Sequence, residues 1–387
     1  MFFLAPTIFM RHSQSVNRSS PAALEKPTIL DVAAVAKVAV GTVSRVINTP
    51  DAVGPGIRQR VLEAIASTNY KPLRRRRKAN SLDGGTPRRN RGNFGVLLIG
   101  MDDSLAHLPV IAEALHGVEL AMAIEGMNLM LANVPNADRI PAFLAKNQVD
   151  GLILKSPLLG DLSTCASPAL VDAIRRLPHV WLLGKPESAD GDMCGTDADA
   201  GARIAAEYLR ARGHRNISYL HPRPGQTRAE GLKRSISLHL QRLGMQLTFL
   251  ENPTVENVRW PLPAITNPRD IAPLLERWES MPAVDRPTAL VVSADSIAVQ
   301  LYHALHEKGL RVGRDVSLLS FNHERALVMG LTPALTTIDI RAEAIGRRAV
   351  EQLLWRIRNR TENTPTKILV EPCLVEGDSV ATLAPSV

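Results

Sequence analysis

The sequence predicts a small all-α head carrying a helix-turn-helix unit, joined to an α/β body of two doubly wound parallel-sheet subdomains. Three observations predict it. Charge divides unevenly along the chain, three short helical patterns with a tight turn between the first two open the ordered part, and a long strand–helix alternation begins at Phe94. At 387 residues the chain exceeds one ordinary domain, for which the usual size is roughly 100–200 residues. It is 45% hydrophobic and 22% charged, a globular balance able to bury a sizeable core. No apolar run reaches the roughly 20 residues that a membrane helix needs. Cys165, Cys194 and Cys373 are scattered, which excludes a disulfide framework and a cysteine zinc site and fits a reducing cytoplasm.

Residues 1–93 carry 16 Lys and Arg against 5 Asp and Glu, a net of +11, whereas the other 294 carry 30 against 33, a net of −3. The whole-chain charge of +8 therefore resides in the first quarter. Such a split points to a polyanionic partner for the basic segment and a separate task for the body. Residues 1–27 read as a disordered arm. Met1–Met10 is apolar but has no positive leader, and Arg11 and His12 follow at once without a small-residue cleavage site, against a secretory signal. Met1 and Met10 both stand as candidate starts.

From Thr28 the periodicity becomes helical. Ile29, Val32, Ala33 and Ala36 fall on one face, with Thr28 as N-cap and Asp31 completing a capping-box-like start. After a break at 37–39, Val43, Val46 and Ile47 mark a second helix ended by Asn48-Thr49-Pro50. Pro55 and Gly56 precede a third, with Ile57, Val61, Leu62 and Ile65 expected inward. Three short helices with a tight first turn are the arithmetic of a helix-turn-helix. The stretch 73–93 opens with Arg74, Arg75, Arg76, Arg77 and Lys78 and then turns rich in Gly, Pro and Asn, so it reads as a linker. In the body, Phe94–Ile99, Leu129–Ala132, Asp150–Leu154, Val180–Leu183, Ile217–Leu220, Gln246–Glu251, Ala289–Ser293 and Val316–Phe321 read as strands. Leu108–Glu125, Gly201–Arg212, Arg228–Leu243, Ile271–Glu279 and Ser296–Lys308 read as helices. Alternation on this scale predicts parallel sheets split into two subdomains.

The run 28–48, with Thr28-Ile29-Leu30-Asp31-Val32-Ala33 and Val43-Ser44-Arg45-Val46-Ile47-Asn48, resembles the DNA-binding head of the lactose-repressor (LacI/GalR) family. Ile57–Ile65 and Asn69-Tyr70-Lys71-Pro72 match its third helix and exit. Gly213-His214-Arg215-Asn216-Ile217, Arg228-Ala229-Glu230-Gly231, Ala294–Ala298, Gly309–Ser317 and Leu331–Ile338 follow in the family's order. The resemblance spans about residues 28–377 and implies a bacterial transcription regulator. It implies a helix-turn-helix head at 28–72, a basic hinge at 73–93 and a body of periplasmic-binding-protein type at 94–377, followed by a tail at 378–387. Its partners would be double-stranded operator DNA and a small sugar-like effector, and it would act as a homodimer on the nucleoid of the cytoplasm, apart from membranes. No leucine-heptad tail follows Val375, which favours the dimer over a tetramer.

For DNA contact the resemblance implies Thr28, Val40, Gly41, Thr42, Ser44, Arg45 and Asn48, with Arg74–Lys78 and Ala79 in the hinge. Several of these depart from the family. Ser is usual at Ala39, and base-reading polar side chains at Val40 and Gly41. Ala39 cannot cap the helix, Val40 can pack on a thymine methyl, and Gly41 reads nothing. Thr42, Ser44, Arg45 and Asn48 keep the family type, with Ser44 and Asn48 open to a purely structural role. Ala79 stands where the family inserts a Leu wedge into the minor groove and is too small to do so. The five cations of 74–78 offer phosphate attraction instead, or else form a solvated linker.

For the effector the resemblance implies Asp102, Asp103, Asp197, Arg228, Trp260, Asp295 and Asn322, at the carboxyl ends of strands where such clefts lie. Arg228 offers a planar fork to hydroxyls or a carboxylate. Asn322 stands where a carboxylate is usual, a swap that keeps a hydrogen-bonding carbonyl and removes a charge, so a ligand other than the common sugars is expected. Trp260 offers a stacking face. The structural alternatives are helix N-caps for Asp197 and Asp295, a surface ion pair for Arg228 and loop packing for Trp260. Trp181 reads as core and His214 as structural. No nucleophile elbow, Walker loop or dinucleotide fingerprint occurs, and His303 and His306 lack a third metal ligand. No enzyme activity, metal or cofactor is expected. Two rival classes remain, a small-molecule binding protein and an enzyme on a doubly wound scaffold. A third variant is a family member that binds DNA mainly through its backbone.

Overall fold

The computed structural model describes residues 27–48, 53–68, 70, 92–101, 109–135, 139–157, 162, 166–253 and 270–384, with the side chains of Asn48 and Thr227 excepted. The expected arm, the hinge with Arg74–Ala79, and Asp102, Asp103 and Trp260 lie outside them. The chain divides into two compact units, one before and one after residues 88/89.

The head has three helices, α1 (Ile29–Ala36), α2 (Val40–Asn48) and α3 (Pro55–Thr68). The Asp31 carboxylate accepts from the Thr28 amide (2.7 Å) and hydroxyl (2.8 Å), anchoring the start of α1. Lys37, left-handed at φ 51°, ends it, and the Val38 amide turns back to the Ala33 carbonyl at 3.1 Å. Pro55 opens α3, where the missing N–H costs nothing. Val32, Ala33, Ala36, Val43, Val46, Val61 and Ala64 form the shared core. Each buried Val contributes roughly 1.5–3 kcal/mol. The inward face of α3 differs from the expected one. Val61 and Ala64 are buried with Ile65 half-buried, while Leu62 is 46% exposed and Ile57 also faces out. Small Ala64, rather than larger Leu62, fits against α1.

The body holds two six-stranded sheets. The first has β1 (Asn93–Ile99), β2 (Asn128–Val134), β3 (Gly151–Lys155), β4 (His179–Leu182), β5 (Asp192–Thr196) and β11 (Lys367–Val370), in the order β11-β5-β4-β3-β1-β2. The second has β6 (Asn216–His221), β7 (Gln246–Glu251), β8 (Ala289–Val292), β9 (Ser317–Asn322), β10 (Thr336–Asp339) and β12 (Cys373–Val375), in the order β12-β10-β9-β8-β6-β7. Every pairing is parallel except β10 with β12. Alternation along β1 shows why. Phe94, Val96 and Leu98 enter one cluster and Leu97 and Ile99 the other, so both faces are covered.

The covering helices are α4 (Pro109–Ile124), α5 (Ala142–Ala145), α6 (Pro168–Arg175), α7 (Ala198–Ala211), α8 (Thr227–Arg242), α9 (Ala272–Glu279), α10 (Asp295–Glu307), α11 (Arg325–Val328) and α12 (Ala342–Arg358). The chain passes between subdomains three times, after β5, after β10 and after β11. Helix α12 therefore packs on α4 in the first subdomain although it follows a strand of the second. Arg356 forks onto buried Asp192, and Gln352 (2.8 Å) and the Thr366 amide (2.8 Å) complete that carboxylate, locking α12 to β5.

The expected tail at 378–387 is a correction. Its described part, to Ala384, belongs to the body. Buried Ser379 accepts from the Thr336 amide (2.8 Å) and donates to the Leu318 carbonyl (2.6 Å), and the Leu383 amide donates to the Arg212 carbonyl (2.8 Å). His214, fully buried, bridges Thr288 (2.8 Å) and the Ala381 carbonyl (3.1 Å) and so pins the same segment.

Candidate functional site

Two surfaces carry candidate chemistry, one on each unit. On the head, Val43 and Val46 turn α2 inward, and Val40, Gly41 and Arg45 stand exposed on its other side with Thr42 and Ser44 half-buried. Ala39 precedes the helix. Its carbonyl accepts from the Thr42 amide (2.8 Å), but its methyl offers nothing to the orphan amides of the first turn. A Cβ on Gly41 would meet nothing within 4 Å. The helix start is thus bare, and Arg45 is its exposed cation. Thr28 is exposed at the start of α1, engaged with Asp31.

In the body, a cavity of about 280 Å³ lies at the carboxyl ends of the strands and is lined from both subdomains. Val110, Lys155, Ser156, Leu183, Lys185 and Thr196 contribute from the first. Gln226, Arg228, Ser293, Ser296, Asn322 and Glu324 contribute from the second. Val110, Ala198, Arg228 and Ser296 each sit in the first turn of a helix, so four positive helix ends meet the cavity.

The far wall rests on strained backbone. Asn322 has φ 109° and His323 φ 57°, and across the cavity Leu183 has φ 61°. Such residues cost on the order of 1–3 kcal/mol each. They turn Asn322 so that its Oδ1 accepts from Arg228 Nη2 at 2.7 Å. Arg228 is open to the solvent of the cleft, yet enclosed widely enough by protein that burial lowers its pKa. Glu324 is buried, and one oxygen accepts from the Val110 amide at 3.1 Å, tying the second subdomain to the start of α4 in the first. Burial raises its pKa against the opposing pull of that bond, Asn322 and Arg228. Behind it, Asp295 accepts from the Glu324 amide (2.6 Å), Thr337 (2.8 Å) and Ser320, and burial pushes its carboxyl up to about 7.

The structure brings Arg228 and Asn322 together on the cavity wall. Asp295 has no exposed surface and stands behind it, as the first helical residue rather than the N-cap, which is Ala294. Asp197 caps α7 through the Ala200 amide at 3.0 Å, the structural alternative for that residue. Trp181 is core, its indole donating to the Asp190 carbonyl at 2.7 Å. Sequence reasoning missed Lys155, Lys185 and Glu324. Lys155 ends an otherwise apolar strand, Gly151-Leu152-Ile153-Leu154, and a charge at the carboxyl end of such a run was a usable signal. Burial, with the charge of Arg228, brings its amine down to about 7. Among the described residues no group of three or more His, Cys, Asp or Glu could hold a metal, and no helix is long and apolar enough to cross a membrane.

Residues 28–72 match the profile of bacterial regulatory proteins of the lacI family, and residues 206–380 that of a periplasmic binding protein-like domain. The transcriptional repressor PurR of Mannheimia succiniciproducens is 30% identical over 92% of this chain and 99% of its own length. The chain belongs to the LacI family. PurR of Edwardsiella ictaluri is 31% identical over 92% of this chain and 97% of its own. The ribose operon repressor of Haemophilus influenzae is 28% identical over 92% and 99%. Two solved structures share the fold of this LacI-family chain. The CelR–cellobiose complex has a TM-score of 0.60 at 24% identity over 91% of this chain and 99% of that one. The Lac repressor dimer bound to operator and the anti-inducer ONPF has 0.61 at 22% over 92% and 100%. As a LacI-family member the chain is a DNA-binding transcription regulator with a ligand-binding body, and its relatives are repressors rather than enzymes.

Proposed function

We propose that this chain represses transcription as a homodimer on an operator, and that a small sugar-like effector in the cleft of the body sets its affinity for DNA. The observation that carries the reading is the cavity lined by both subdomains, where Arg228 and Asn322 meet on strained backbone. A ligand touching both halves favours one relative arrangement of them, and that preference is all it needs to shift a two-state regulator. The described wall is aliphatic and polar, which suits a polyol. Arg228 and Asn322 are its contacts, with Asp295 acting from behind through Glu324. On the head, α2 enters the major groove with Val40, Ser44 and Arg45 toward bases and Thr42, Asn48 and the cations of 74–78 toward phosphates. Two LacI-family structures, one of a sugar complex and one of a dimer on its operator, support the pattern. The site of action is the bacterial cytoplasm.

The bare start of α2 favours a second reading, in which backbone attraction dominates and base reading is reduced. One experiment separates the two. Purified protein is mixed with fragmented DNA of its source genome at two salt concentrations, and bound fragments are sequenced. A short palindromic motif that survives the higher salt is expected. Diffuse binding that vanishes with salt would overturn the operator reading.

A further inference from the structure

Taking the cleft as the effector site, we propose that its effector is an anion, a small polyol carrying a phosphate or carboxylate group that is held by Lys155, Lys185 and Arg228. Three cations and one carboxylate, Glu324, are the charged side chains among the described residues lining the cavity. Glu324 is already committed to the Val110 amide, and burial favours its neutral form. Even ionised, it balances only one of the three cations.

Lys155 is the more telling group. It is 7% exposed, at the end of β3, and its hydrogen bond goes to the neighbouring Ser156 carbonyl at 2.7 Å. Among the described residues no carboxylate pairs with it. A buried ammonium without a counter-charge is costly to the folded protein. Burial and the charge of Arg228, from the other subdomain, both push its pKa down. Lys185 is partly spent on the Ala189 carbonyl at 2.5 Å and keeps two further donors. Arg228 gives one N–H to the Asn322 side chain, and the rest of its fork is left for an anion. Four helix N-termini around the same space add partial positive charge. A neutral sugar would leave this field uncompensated, while an anion satisfies cations from both subdomains at once and so favours one relative arrangement of them.

The test uses the full chain, with Lys155→Met and Lys185→Met beside it. Inorganic phosphate is titrated at constant ionic strength against chloride while the melting temperature is followed. Phosphate is expected to raise the wild-type melting temperature, and Lys155→Met to lose most of that rise while melting at or above the wild-type temperature without phosphate. Phosphate bound at the basic head acts equally on both proteins, so the difference reads the cleft. If Lys155→Met does not fold, Lys185→Met carries the same comparison. Calorimetric titration with glucose, glucose 6-phosphate and gluconate, and with ribose and ribose 5-phosphate, then separates the sources. A phosphorylated or acidic sugar is expected to bind about tenfold or more tighter than its neutral parent. Neutral sugars that bind, with a phosphate effect absent or equal in the variants, would overturn the anionic class and leave the effector reading standing. If neither phosphate nor any sugar affects the wild type, both readings fall.

Discussion

Asp295 has no exposed surface, yet its carboxyl accepts three hydrogen bonds, from Ser320, Thr337 and the Glu324 amide. Burial raises its pKa to about 7 from the ordinary 3.8. Between those values the folded chain binds a proton that the unfolded chain has released. The stability from this group is therefore complete below the unfolded pKa and is lost as pH rises through about 7. Asn in its place keeps an acceptor for the Glu324 amide, and the two hydroxyls can rotate to accept. Asp295→Asn is expected to fold and to flatten the decline of stability with pH, read from urea midpoints measured between about pH 4.5 and 7. Equal slopes for variant and wild type would contradict it. Asp295→Ala leaves three partners unsatisfied and is expected to cost about 1–3 kcal/mol. Arg228 and Asn322 were reached through the family resemblance, and the structure places both on the cavity wall. The hydrogen bonds of Asp295 had no sequence signal, because Thr337 and Ser320 reach it only after β9 and β10 pair. The Glu324–Val110 bond spans 214 residues and has no local sequence signal.

Helices α4 and α12 touch at two glycines. A Cβ on Gly117 would collide with the Glu343 carbonyl, and one on Gly346 with the Ala114 carbonyl. Gly346→Ala is therefore expected to overpack the crossing and cost about 1–3 kcal/mol. Gly231, inside α8, has nothing within 4 Å of its would-be Cβ. Gly231→Ala is expected to stabilise by about 0.5–1 kcal/mol, since the helix loses only backbone entropy there. Urea unfolding of the two variants checks the opposite signs, and a Gly346→Ala chain as stable as wild type would show that the helices can separate at no cost. The same crossing explains what was unread in the fold. Strand–helix alternation from β1 to β9 was legible, apart from α5, α6 and β5, because the other elements each carry their own apolar period. Helix α12 buries Ala342, Gly346 and Ala349 among its contacts, and small residues dilute that period. Strand β5, Asp192-Met193-Cys194-Gly195-Thr196, has little strand propensity and is extended because β4 and β11 flank it. Strands β11 and β12 are short and find their partners far away in the chain.

Across the whole molecule charge divides along the chain, a net of +11 in residues 1–93 against −3 beyond. The body's two sheets are joined by three passages of the chain, so one ligand between them acts on both. On the proposed function, what it controls is the binding of a strongly cationic segment to DNA. Each phosphate neutralised steepens log K against log salt by about 0.9. Replacing Arg74–Arg77 by Ala is thus expected to flatten that slope by up to about 3.6 per head, for operator and unrelated duplex alike. Arg45 stands on the exposed side of α2. Arg45→Ala is expected to narrow the ratio between operator and unrelated DNA, by a factor corresponding to about 1–3 kcal/mol, with a smaller change in slope. Fluorescence anisotropy at stepped salt on both duplexes separates the two effects. The contrast matters because, on the proposed reading, Ala39, Gly41 and Ala79 lack the family's cap, reading side chain and wedge, leaving attraction and Val40, Ser44 and Arg45 to carry recognition. An unchanged slope after the four replacements, with discrimination intact, would put the arginine run off the duplex and leave recognition to α2 alone.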